Sequence, residues 1–544
     1  MLRKTENNYY AVTFGKANLI LIDIVEFEIE REQGYYDYYS TNVLVEFIPF
    51  NGGTAIYYVV DQDLRPRTKN ILGIISRMFL DDRKFFYNDI CSLDNIKLHF
   101  PKEKEAKYRI KYKNISELEI SKISGEHHIH FVAEEIMDSL NVEQRNKAMQ
   151  ALRLPSNIST TFFSGVALWL SQLNKTIYNF IINTDLLDCK DYEEFCKIGK
   201  NISVIAKSYQ NIVDMDLRQL FEIEVLSNRA EGMIDWEKEK EHRIRPSLTL
   251  TTAERVYEKA FKIFTSPDAT RLKPIKMEWD RFWKARWQWS ATGSIHSQYE
   301  EDQKYIDKRR QLNNKFIMLN TMPDVPMQYF LNRKPEIVAR SSIKYEWGKL
   351  RAIYGTDLTS YILAHFAFYN CEDCLPSQFP VGKKAKPNLV SSRVAATLEG
   401  AVPFCIDYED FNSQHSNSSM KAVVRAYKDA FEKDLSREQI LAIEWTLQSV
   451  DNTIVRDNIG TKTQYKTEGT LMSGWRLTTF VNSVLNYVYT NQLLGEDVGN
   501  YRSIHNGDDV LIGCNNLKLA SKVIRECKIQ KIRLQRKKCA FGGI

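Results

Sequence analysis

The sequence has few of the features that mark a membrane or secreted protein. No apolar run approaches the length of roughly 20 residues that a membrane-spanning helix needs. The best candidate, residues 162–173, is too short and is interrupted by Ser164, Gly165 and Ser171. The charged residues that follow Met1 are not succeeded by an apolar stretch, so no signal peptide is predicted. We therefore expect the protein to stay in the compartment where it is made.

Cysteine is also sparse, with nine in 544 residues, an odd number that is typical of reduced thiols in the cytosol. Cys371 and Cys374 form one C-x-x-C pair, but two ligands do not make a structural zinc site. His128 and His130 resemble metal ligands, yet alternation along a β-strand explains them equally well. A Walker-type phosphate loop is missing, so any bound nucleotide must be held by other residues.

The composition is that of a globular protein, and its positive charge is unevenly placed. Hydrophobic residues make up 43% and charged residues 26%, and the length suggests three or four domain-sized units. The net charge is only +6, but residues 518–538 contain nine Lys or Arg against one acid, Glu526. A run of basic residues usually forms a solvent-exposed face of the protein. Its position beside the motifs described below favours a nucleic-acid partner.

The hydrophobic pattern predicts mixed elements first and helices afterwards. Alternation at residues 42–47 and 54–60 indicates strands, and we expect mixed short strands and helices over the first 130 or so residues. From about residue 132 to residue 263 the apolar spacing becomes helical, and Pro246 and Pro267 predict breaks.

The first candidate catalytic residue is Asp407. The apolar run Phe404-Cys-Ile406 is compatible with a β-strand and ends in this acid, after which polar residues continue through Asn412. The pattern predicts that Asp407 lies at a strand end, exposed on the rim of a sheet. Acids are common at strand ends and helix caps, so this motif is weak by itself.

Two more acids, Asp508 and Asp509, follow Asn506-Gly507 between two short apolar runs. Asn-Gly is the strongest short signal for a β-hairpin. Adjacent carboxylates at a hairpin tip repel one another unless cations lie between them. The pattern predicts a metal-binding hairpin, and an ordinary Asp-Asp turn is the alternative.

Between these motifs, Ser473-Gly474 predicts a flexible turn that leads into a helix over residues 475–489. Thr478 and Asn482 are four residues apart, so they share one helix face and can present a hydroxyl and an amide to a polar ligand. A helix with an ordinary Ser-Gly entry would give the same pattern.

Two basic segments lie upstream. In Lys344–Tyr354, Lys349 and Arg351 alternate as on a strand, so both can reach one negative ligand such as a triphosphate. An exposed basic strand is the alternative. Residues 281–289 interleave tryptophan with arginine, a pattern that can stack bases, although burial of the tryptophans is the commoner explanation.

In this order, the motifs fit the palm of a template-copying polymerase. Asp407 and Ser473 are separated by 66 residues, and Ser473 and Asp508 by 35. Phosphoryl transfer between a 3′-hydroxyl and an α-phosphate uses two divalent ions about 4 Å apart, held by carboxylates. Oxygen ligands favour Mg²⁺ or Mn²⁺, so we predict two such ions on Asp407, Asp508 and Asp509.

These motifs resemble those of polymerases from double-stranded RNA viruses, above all the totiviruses. Residues 407–415, Asp-Tyr-Glu-Asp-Phe-Asn-Ser-Gln-His, resemble motif A, and Ser473-Gly-x-x-x-Thr-x-x-x-Asn482 is similar to motif B. Residues 505–510, His-Asn-Gly-Asp-Asp-Val, resemble motif C, and residues 344–354 resemble the basic motif F. Residues 286–296 resemble a further totivirus block. The specific match covers roughly residues 281–515.

The resemblance implies roles for single residues. It makes Asp407 and Asp508 the main metal ligands and Asp509 an auxiliary one. Nucleotide binding would fall to residues of motifs A, B and F: Lys344, Lys349, Arg351, Asn412, Ser473, Gly474, Thr478 and Asn482. Within this set Asn412, Thr478 and Asn482 would read the ribose 2′-hydroxyl, and Lys349 and Arg351 would hold the triphosphate. The motif D lysine has three candidates: Lys531, Lys537 and Lys538.

The resemblance also implies an α+β fold of the right-hand polymerase type, whose palm has an antiparallel sheet and helices. Residues 1–280 would form an N-terminal, fingers-associated region and residues 281–400 the fingers with motif F. Residues 401–544 would form the palm, with a fingers insertion at about 416–465. The sequence ends 35 residues after Asp509, so we expect it to lack motif E and most of the thumb.

The implied function is RNA-directed RNA synthesis that replicates and transcribes a double-stranded RNA genome. The implied partners are RNA template and product, ribonucleotides and a viral capsid protein, inside a cytoplasmic particle. Two alternatives remain. A reverse transcriptase is disfavoured by Asn412, where a bulky aromatic residue would be expected, and by Gly507, since reverse transcriptases favour Tyr or Met before the paired acids. The second alternative is an inactive RNA-binding relic of such a polymerase that lacks the thumb.

Overall fold

The computed structural model describes residues 2–4, 10–14, 17–23, 43–46, 54–59, 133–158, 160–210, 215–227, 234–266, 272–307, 309, 312–346, 349–495, 501–514, 517–535 and 539–541. The strands are β1 (Leu2–Lys4), β2 (Tyr10–Phe14), β3 (Ala17–Asp23), β4 (Val43–Glu46), β5 (Thr54–Val59), β6 (Ile337–Glu346), β7 (Lys349–Thr356), β8 (Val402–Ile406), β9 (Thr453–Arg456), β10 (Gln464–Lys466), β11 (Arg502–Asn506), β12 (Asp509–Cys514) and β13 (Ala540–Phe541).

The helices are α1 (Ala133–Ser139), α2 (Val142–Ala148), α3 (Thr160–Gln172), α4 (Lys175–Ile182), α5 (Tyr192–Gln210), α6 (Arg218–Ser227), α7 (Trp236–Ile244), α8 (Ala253–Thr265), α9 (Trp279–Lys284), α10 (Arg286–Trp289), α11 (Glu300–Gln303), α12 (Lys315–Thr321), α13 (Gln328–Leu331), α14 (Leu358–Ala367), α15 (Pro387–Leu398), α16 (Asn417–Phe431), α17 (Arg437–Val450), α18 (Thr478–Leu494) and α19 (Leu517–Ile529). Short 3₁₀ helices cover Met149–Arg153, Cys371–Cys374, Gly382–Lys384, Phe411–Gln414 and Glu432–Asp434. Across the ranges described, no helix is long and apolar enough to cross a membrane.

The chain divides into two compact units. The first comprises residues 1–234, 343–351 and 536–544, and the second comprises residues 235–342 and 352–535. All three predicted metal-binding aspartates belong to the second unit, whereas Lys344, Lys349 and Arg351 belong to the first. The predicted boundaries near residues 281 and 401 follow functional motifs and remain predictions.

The first unit contains a sheet and a group of helices. The sheet has the strand order β1-β2-β3-β5-β4 with antiparallel pairing throughout, which confirms the strands predicted near residues 42–47 and 54–60. Helices α1 to α6 share a core in which Phe163, Trp169 and Phe195 are completely buried. The apolar run at residues 162–173 is therefore a core helix, and the histidines at 128 and 130 lie outside the described residues.

Helix boundaries in the second unit follow local chemistry. Thr252 caps α8 by accepting a hydrogen bond from the Arg255 amide, and Ser436 forms a capping box with Gln439 at the start of α17. Pro246 lies between α7 and α8, where a break was predicted, and Pro267 lies outside the described residues. The helix predicted at residue 475 begins instead at Thr478.

The tryptophan-rich segment of the second unit is largely structural. Phe282 and Trp283 are buried, and Trp283 and Trp279 stack with their ring centroids 5.4 Å apart. The Arg286 guanidinium donates to the carbonyls of Leu319 and Met322, both at 2.8 Å, so it closes a loop of the same region. Burial thus explains most of this pattern, although Trp287 is 60% exposed.

Two further sheets position the motifs. One has the order β10-β9-β6-β7, in which β6 pairs with β9 in parallel. In the other, β12 lies between β11 and β8 and is antiparallel to both. Helices and largely antiparallel strands thus occur together, and the predicted α+β class is confirmed.

Candidate active site

The three aspartates lie at one end of the β11-β12-β8 sheet. Ile406, the last residue of β8, is paired with Val510 of β12. Asp407 directly follows Ile406 and Asp509 directly precedes Val510, so the antiparallel register brings these two positions side by side. Asp407 is half-buried, whereas Asp508 and Asp509 are exposed. The predicted strand-end position of Asp407 is therefore confirmed, whereas its predicted exposure is only partial.

The hairpin between β11 and β12 turns one residue later than the Asn-Gly signal suggests. Asn506 pairs with Asp509, which leaves Gly507 and Asp508 as the two central residues. Gly507 has φ of 62°, a left-handed conformation that a side chain would disfavour. Glycine at the first central position is typical of a type II′ turn, whose twist matches that of the strands. Asp508 consequently sits at the tip of the hairpin.

Helix α18 fastens this hairpin tip. The Asn486 side-chain amide donates to the carbonyls of Gly507 at 3.1 Å and Asp509 at 2.9 Å, and the Ser483 hydroxyl accepts from the Gly507 amide at 2.8 Å. The Asn486 Oδ1 lies 2.9 Å from Nδ1 of the buried His505. The sequence reasoning missed Asn486 and Ser483. The signal was present, because Asn486 lies one helical turn beyond Asn482.

Replacing Asn486 by Leu is expected to lower the unfolding free energy by about 2–4 kcal/mol, because two carbonyls and the His505 Nδ1–H lose a partner. Urea unfolding measures the change. A matched control is Asn491→Leu, since the Asn491 amide donates within its own helix to the Tyr487 carbonyl. The control should cost about 1 kcal/mol. Equal losses in the two variants would show that Asn486 does not fasten the hairpin.

Motif A and motif B meet through two asparagines. The Asn482 Nδ2 on α18 donates to the Asn412 Oδ1 at 2.7 Å. Asn412 belongs to the 3₁₀ helix after Asp407, where the backbone of Asp410 takes the left-handed φ of 41°. Asn482 is buried and Asn412 is half-buried. The structure therefore brings these two predicted nucleotide-binding residues together.

The other motif B residues form a tight loop against β7. The Ser473 hydroxyl accepts from the Tyr354 amide at 3.1 Å, and the Gly474 amide donates to the Tyr354 carbonyl at 3.0 Å. The Thr478 hydroxyl donates to the Met472 and Trp475 carbonyls, at 2.8 and 2.7 Å. Thr478 thus closes the loop, and these bonds explain why the helix starts three residues later than predicted.

The basic motif F residues lie on strands: Lys344 on β6, and Lys349 and Arg351 on β7, where the alternation predicts a strand. Lys344 is half-buried and Arg351 is exposed. Their assignment to the triphosphate remains a prediction.

A short segment of the motif D region pairs with the motif A loop. The Gln535 amide donates to the Asp407 carbonyl at 2.8 Å, and the Glu409 amide donates to the Arg533 carbonyl at 3.1 Å. The Gln414 side chain fixes this pairing by accepting from the Arg533 amide and donating to its carbonyl. Lys531 is exposed with φ of 54°, whereas Lys537 and Lys538 lie outside the described residues.

The candidate metal ligands are oxygen donors only, which suits Mg²⁺ or Mn²⁺. In the part of the chain that the structure describes, no three Asp, Glu, His or Cys side chains are grouped closely enough to hold an ion as they stand. Neighbouring carboxylates repel one another, and a bound cation would draw them together.

At the C-x-x-C pair, burial raises the pKa of the Cys371 thiol, and it raises the pKa of the Cys374 thiol to about 12.

Buried histidines make the fold sensitive to acid. Burial lowers the pKa of His415 to about 4 and that of His505 to about 3. Because the unfolded chain binds protons near pH 6.5 and the folded chain does not, stability is complete above pH 6.5 and falls towards pH 4. Each histidine should remove about 2 kcal/mol of unfolding free energy at pH 5. Urea unfolding at pH 7.5 and pH 5 tests this, and His415→Gln should reduce the difference by one histidine's share. An unchanged difference in that variant would contradict the assignment.

A strand-end aspartate beside a hairpin with two more, backed by a buried helix whose Ser483 and Asn486 bind the hairpin, is typical of the palm of nucleic-acid polymerases. The chain belongs to the viral RNA-directed RNA polymerase family, whose model matches residues 107–543. It is 33% identical to the probable RNA-directed RNA polymerase of Saccharomyces cerevisiae virus L-A, over 99% of this chain and 37% of that protein. It is 34% identical to the corresponding protein of Saccharomyces cerevisiae virus L-BC, over 83% of this chain and 29% of that protein.

A more distant similarity is to the probable RNA-directed RNA polymerase of Leishmania RNA virus 1 - 1, with 29% identity over 60% of this chain and 36% of that protein. These relatives confirm the resemblance to totivirus polymerases that the motifs predict. The chain spans about a third of the length of these relatives.

Proposed function

We propose that this chain forms the fingers and palm of a right-hand polymerase that copies RNA from ribonucleoside triphosphates. The observation that carries the proposal is the pairing of Ile406 with Val510, which places Asp407 next to Asp509 and near the hairpin tip. Residues from two distant parts of the sequence are thus combined at one sheet end. Family membership supports the reaction class, because the relatives are named as probable RNA-directed RNA polymerases.

Asp407, Asp508 and Asp509 would hold two Mg²⁺ or Mn²⁺ ions. When bound, such ions lower the pKa of the attacking 3′-hydroxyl and stabilise the leaving pyrophosphate. The protein contributes the fixed positions of the carboxylates: the register of β8 and β12 sets Asp407 and Asp509, and Asn486 and Ser483 set the hairpin. A rigid frame of this kind keeps ligands near their productive geometry.

The nucleotide-binding roles are also proposals. Asn412, Thr478 and Asn482 would read the ribose 2′-hydroxyl, and the hydrogen bond between the two asparagines supports this role. Ser473 and Gly474 would shape the loop that follows the template base pair, while Thr478 keeps that loop closed. Lys344, Lys349 and Arg351 would neutralise the triphosphate.

The proposal extends to the biological setting, which the resemblance to totivirus polymerases suggests. We propose that the RNA copied is a double-stranded viral genome and its transcript, inside a cytoplasmic particle built from a viral capsid protein. A reverse transcriptase is the weaker reading, because the compact Asn412 leaves room for a 2′-hydroxyl.

The test incubates the purified chain with single-stranded RNA, four rNTPs and Mg²⁺ or Mn²⁺, beside Asp508→Ala. RNA product that vanishes in the variant supports the proposal. Product made from dNTPs in preference to rNTPs would replace it with reverse transcription. RNA binding without product under any of these conditions would favour the non-catalytic relic.

A further inference from the structure

The hydrogen bonds of the Asn412–Asn482 pair continue into a buried row of polar side chains, through His415 to Tyr489 on α18. His415 Nε2 lies 2.9 Å from the Asn482 Oδ1, and His415 Nδ1 lies 3.0 Å from the Tyr489 hydroxyl. His415 and Tyr489 are completely buried and Asn482 is 6% exposed. Four side chains from motif A and α18 are therefore joined in one row.

The amide orientations of Asn412 and Asn482 set the hydrogen-bond directions in this row. The Asn482 Nδ2 donates to Asn412, so the Asn482 Oδ1 is the acceptor for His415. His415 must then carry its proton on Nε2, and its Nδ1 accepts from the Tyr489 hydroxyl. Burial lowers the pKa of His415 to about 4, so the ring is neutral, and with these amide orientations the tautomer protonated on Nε2 satisfies all three bonds.

The row decides what Asn412 can offer to a ligand. Its Oδ1 is taken by Asn482 and its backbone carbonyl accepts from the Leu471 amide at 2.9 Å. Within the described residues, no further side-chain hydrogen bond occupies the Asn412 Nδ2, and the residue is only half-buried. What remains is a donor, which matches a ligand oxygen with a free lone pair.

We propose that His415 is a positioning residue for sugar selection: by holding Asn482 in one orientation, it makes Asn412 present its Nδ2 to the 2′-oxygen of a ribonucleotide. The inference rests on the proposed polymerase function and adds to it a residue that does not touch the nucleotide. Without the His415 donor, the Asn482 amide can turn over, and the Asn412 amide turns with it. A ribonucleotide then loses the preorganised Asn412 donor for its 2′-oxygen. A deoxyribonucleotide has no 2′-oxygen, so its incorporation is unaffected.

The experiment measures kcat/KM for rNTP and dNTP incorporation by the wild-type chain, His415→Leu, His415→Gln and Tyr489→Phe. His415→Leu removes the donor and should lower the rNTP to dNTP ratio about tenfold, through poorer use of rNTPs. Gln places an amide N–H near the position of Nε2, so His415→Gln should restore the ratio to within about twofold. Tyr489→Phe frees Nδ1 to take the proton and should lower the ratio partly, by about threefold.

His296→Leu is the matched control, because His296 is also a buried histidine and its Nε2 bonds to the Val338 carbonyl. The rNTP to dNTP ratio of His296→Leu should equal that of the wild type even if this variant is less stable. Folding of each variant is checked by urea unfolding, and Tyr489→Phe serves if His415→Leu does not fold. A wild-type ratio in folded His415→Leu or in Tyr489→Phe would overturn the inference, as would an equal loss in His296→Leu. A wild-type chain that incorporates no nucleotide would instead overturn the proposed function, and the inference with it.

Discussion

Asp407→Asn is expected to lower RNA synthesis at least about a thousandfold, while the fold survives. The substitution keeps the size of the side chain but removes the negative charge that a divalent ion needs. Asp407 follows the last residue of β8 and its carbonyl accepts from the Gln535 amide, a backbone bond that an asparagine retains. The loss corresponds to about 4 kcal/mol of transition-state stabilisation. Primer extension at saturating Mg²⁺ measures it.

Glu409→Gln is the control for the loss of one charge in the same loop. Glu409 is exposed, lies two residues from Asp407 and holds the motif D segment through its backbone. Its variant should retain synthesis within about threefold, because a solvent-exposed charge contributes little. If both variants lost activity equally, general loop charge rather than metal binding would explain the effect.

Gly474→Ala is expected to displace the motif B loop, with a loss of about 2–4 kcal/mol in unfolding free energy and most of the RNA synthesis. A Cβ at Gly474 would lie 2.5 Å from the Tyr354 carbonyl oxygen and 2.9 Å from the Gly355 Cα. Both are backbone atoms, so neither can move aside cheaply. Relief of the clash would break the Gly474 amide bond to Tyr354 and the Ser473 contact beside it.

Gly355→Ala is the matched control, because Gly355 forms the isolated bridge to Gly474 from the opposite side. A Cβ there would meet no atom within 4 Å. The variant should differ from the wild type by less than about 1 kcal/mol. Thermal unfolding and primer extension of both variants decide the matter, and a neutral Gly474→Ala would show that the loop is free to shift.

The sequence predicted the parts of the site that depend on neighbours in the chain. Asp407 at a strand end, the hairpin that carries Asp508 and Asp509, and the alternating Lys349 and Arg351 all appear where periodicity and turn residues indicate. Errors of one to three residues arose where a distant contact decides the boundary. The start of α18 moved to Thr478 because residues 473–474 bond to Tyr354.

What the sequence alone determined is the set of chemical groups: the oxygen ligands, the paired amides, the α+β class and the resemblance to the polymerase family. Local patterns encode these, because side-chain chemistry, strand alternation and turn preferences act over a few residues. Which groups meet is a property of the tertiary structure. The Ile406–Val510 register spans residues that are far apart in sequence, and only the packing of α18 against both motifs reveals His415 and Asn486 as their supports. Long-range pairing is determined by the packing of the whole core, and no local pattern records it.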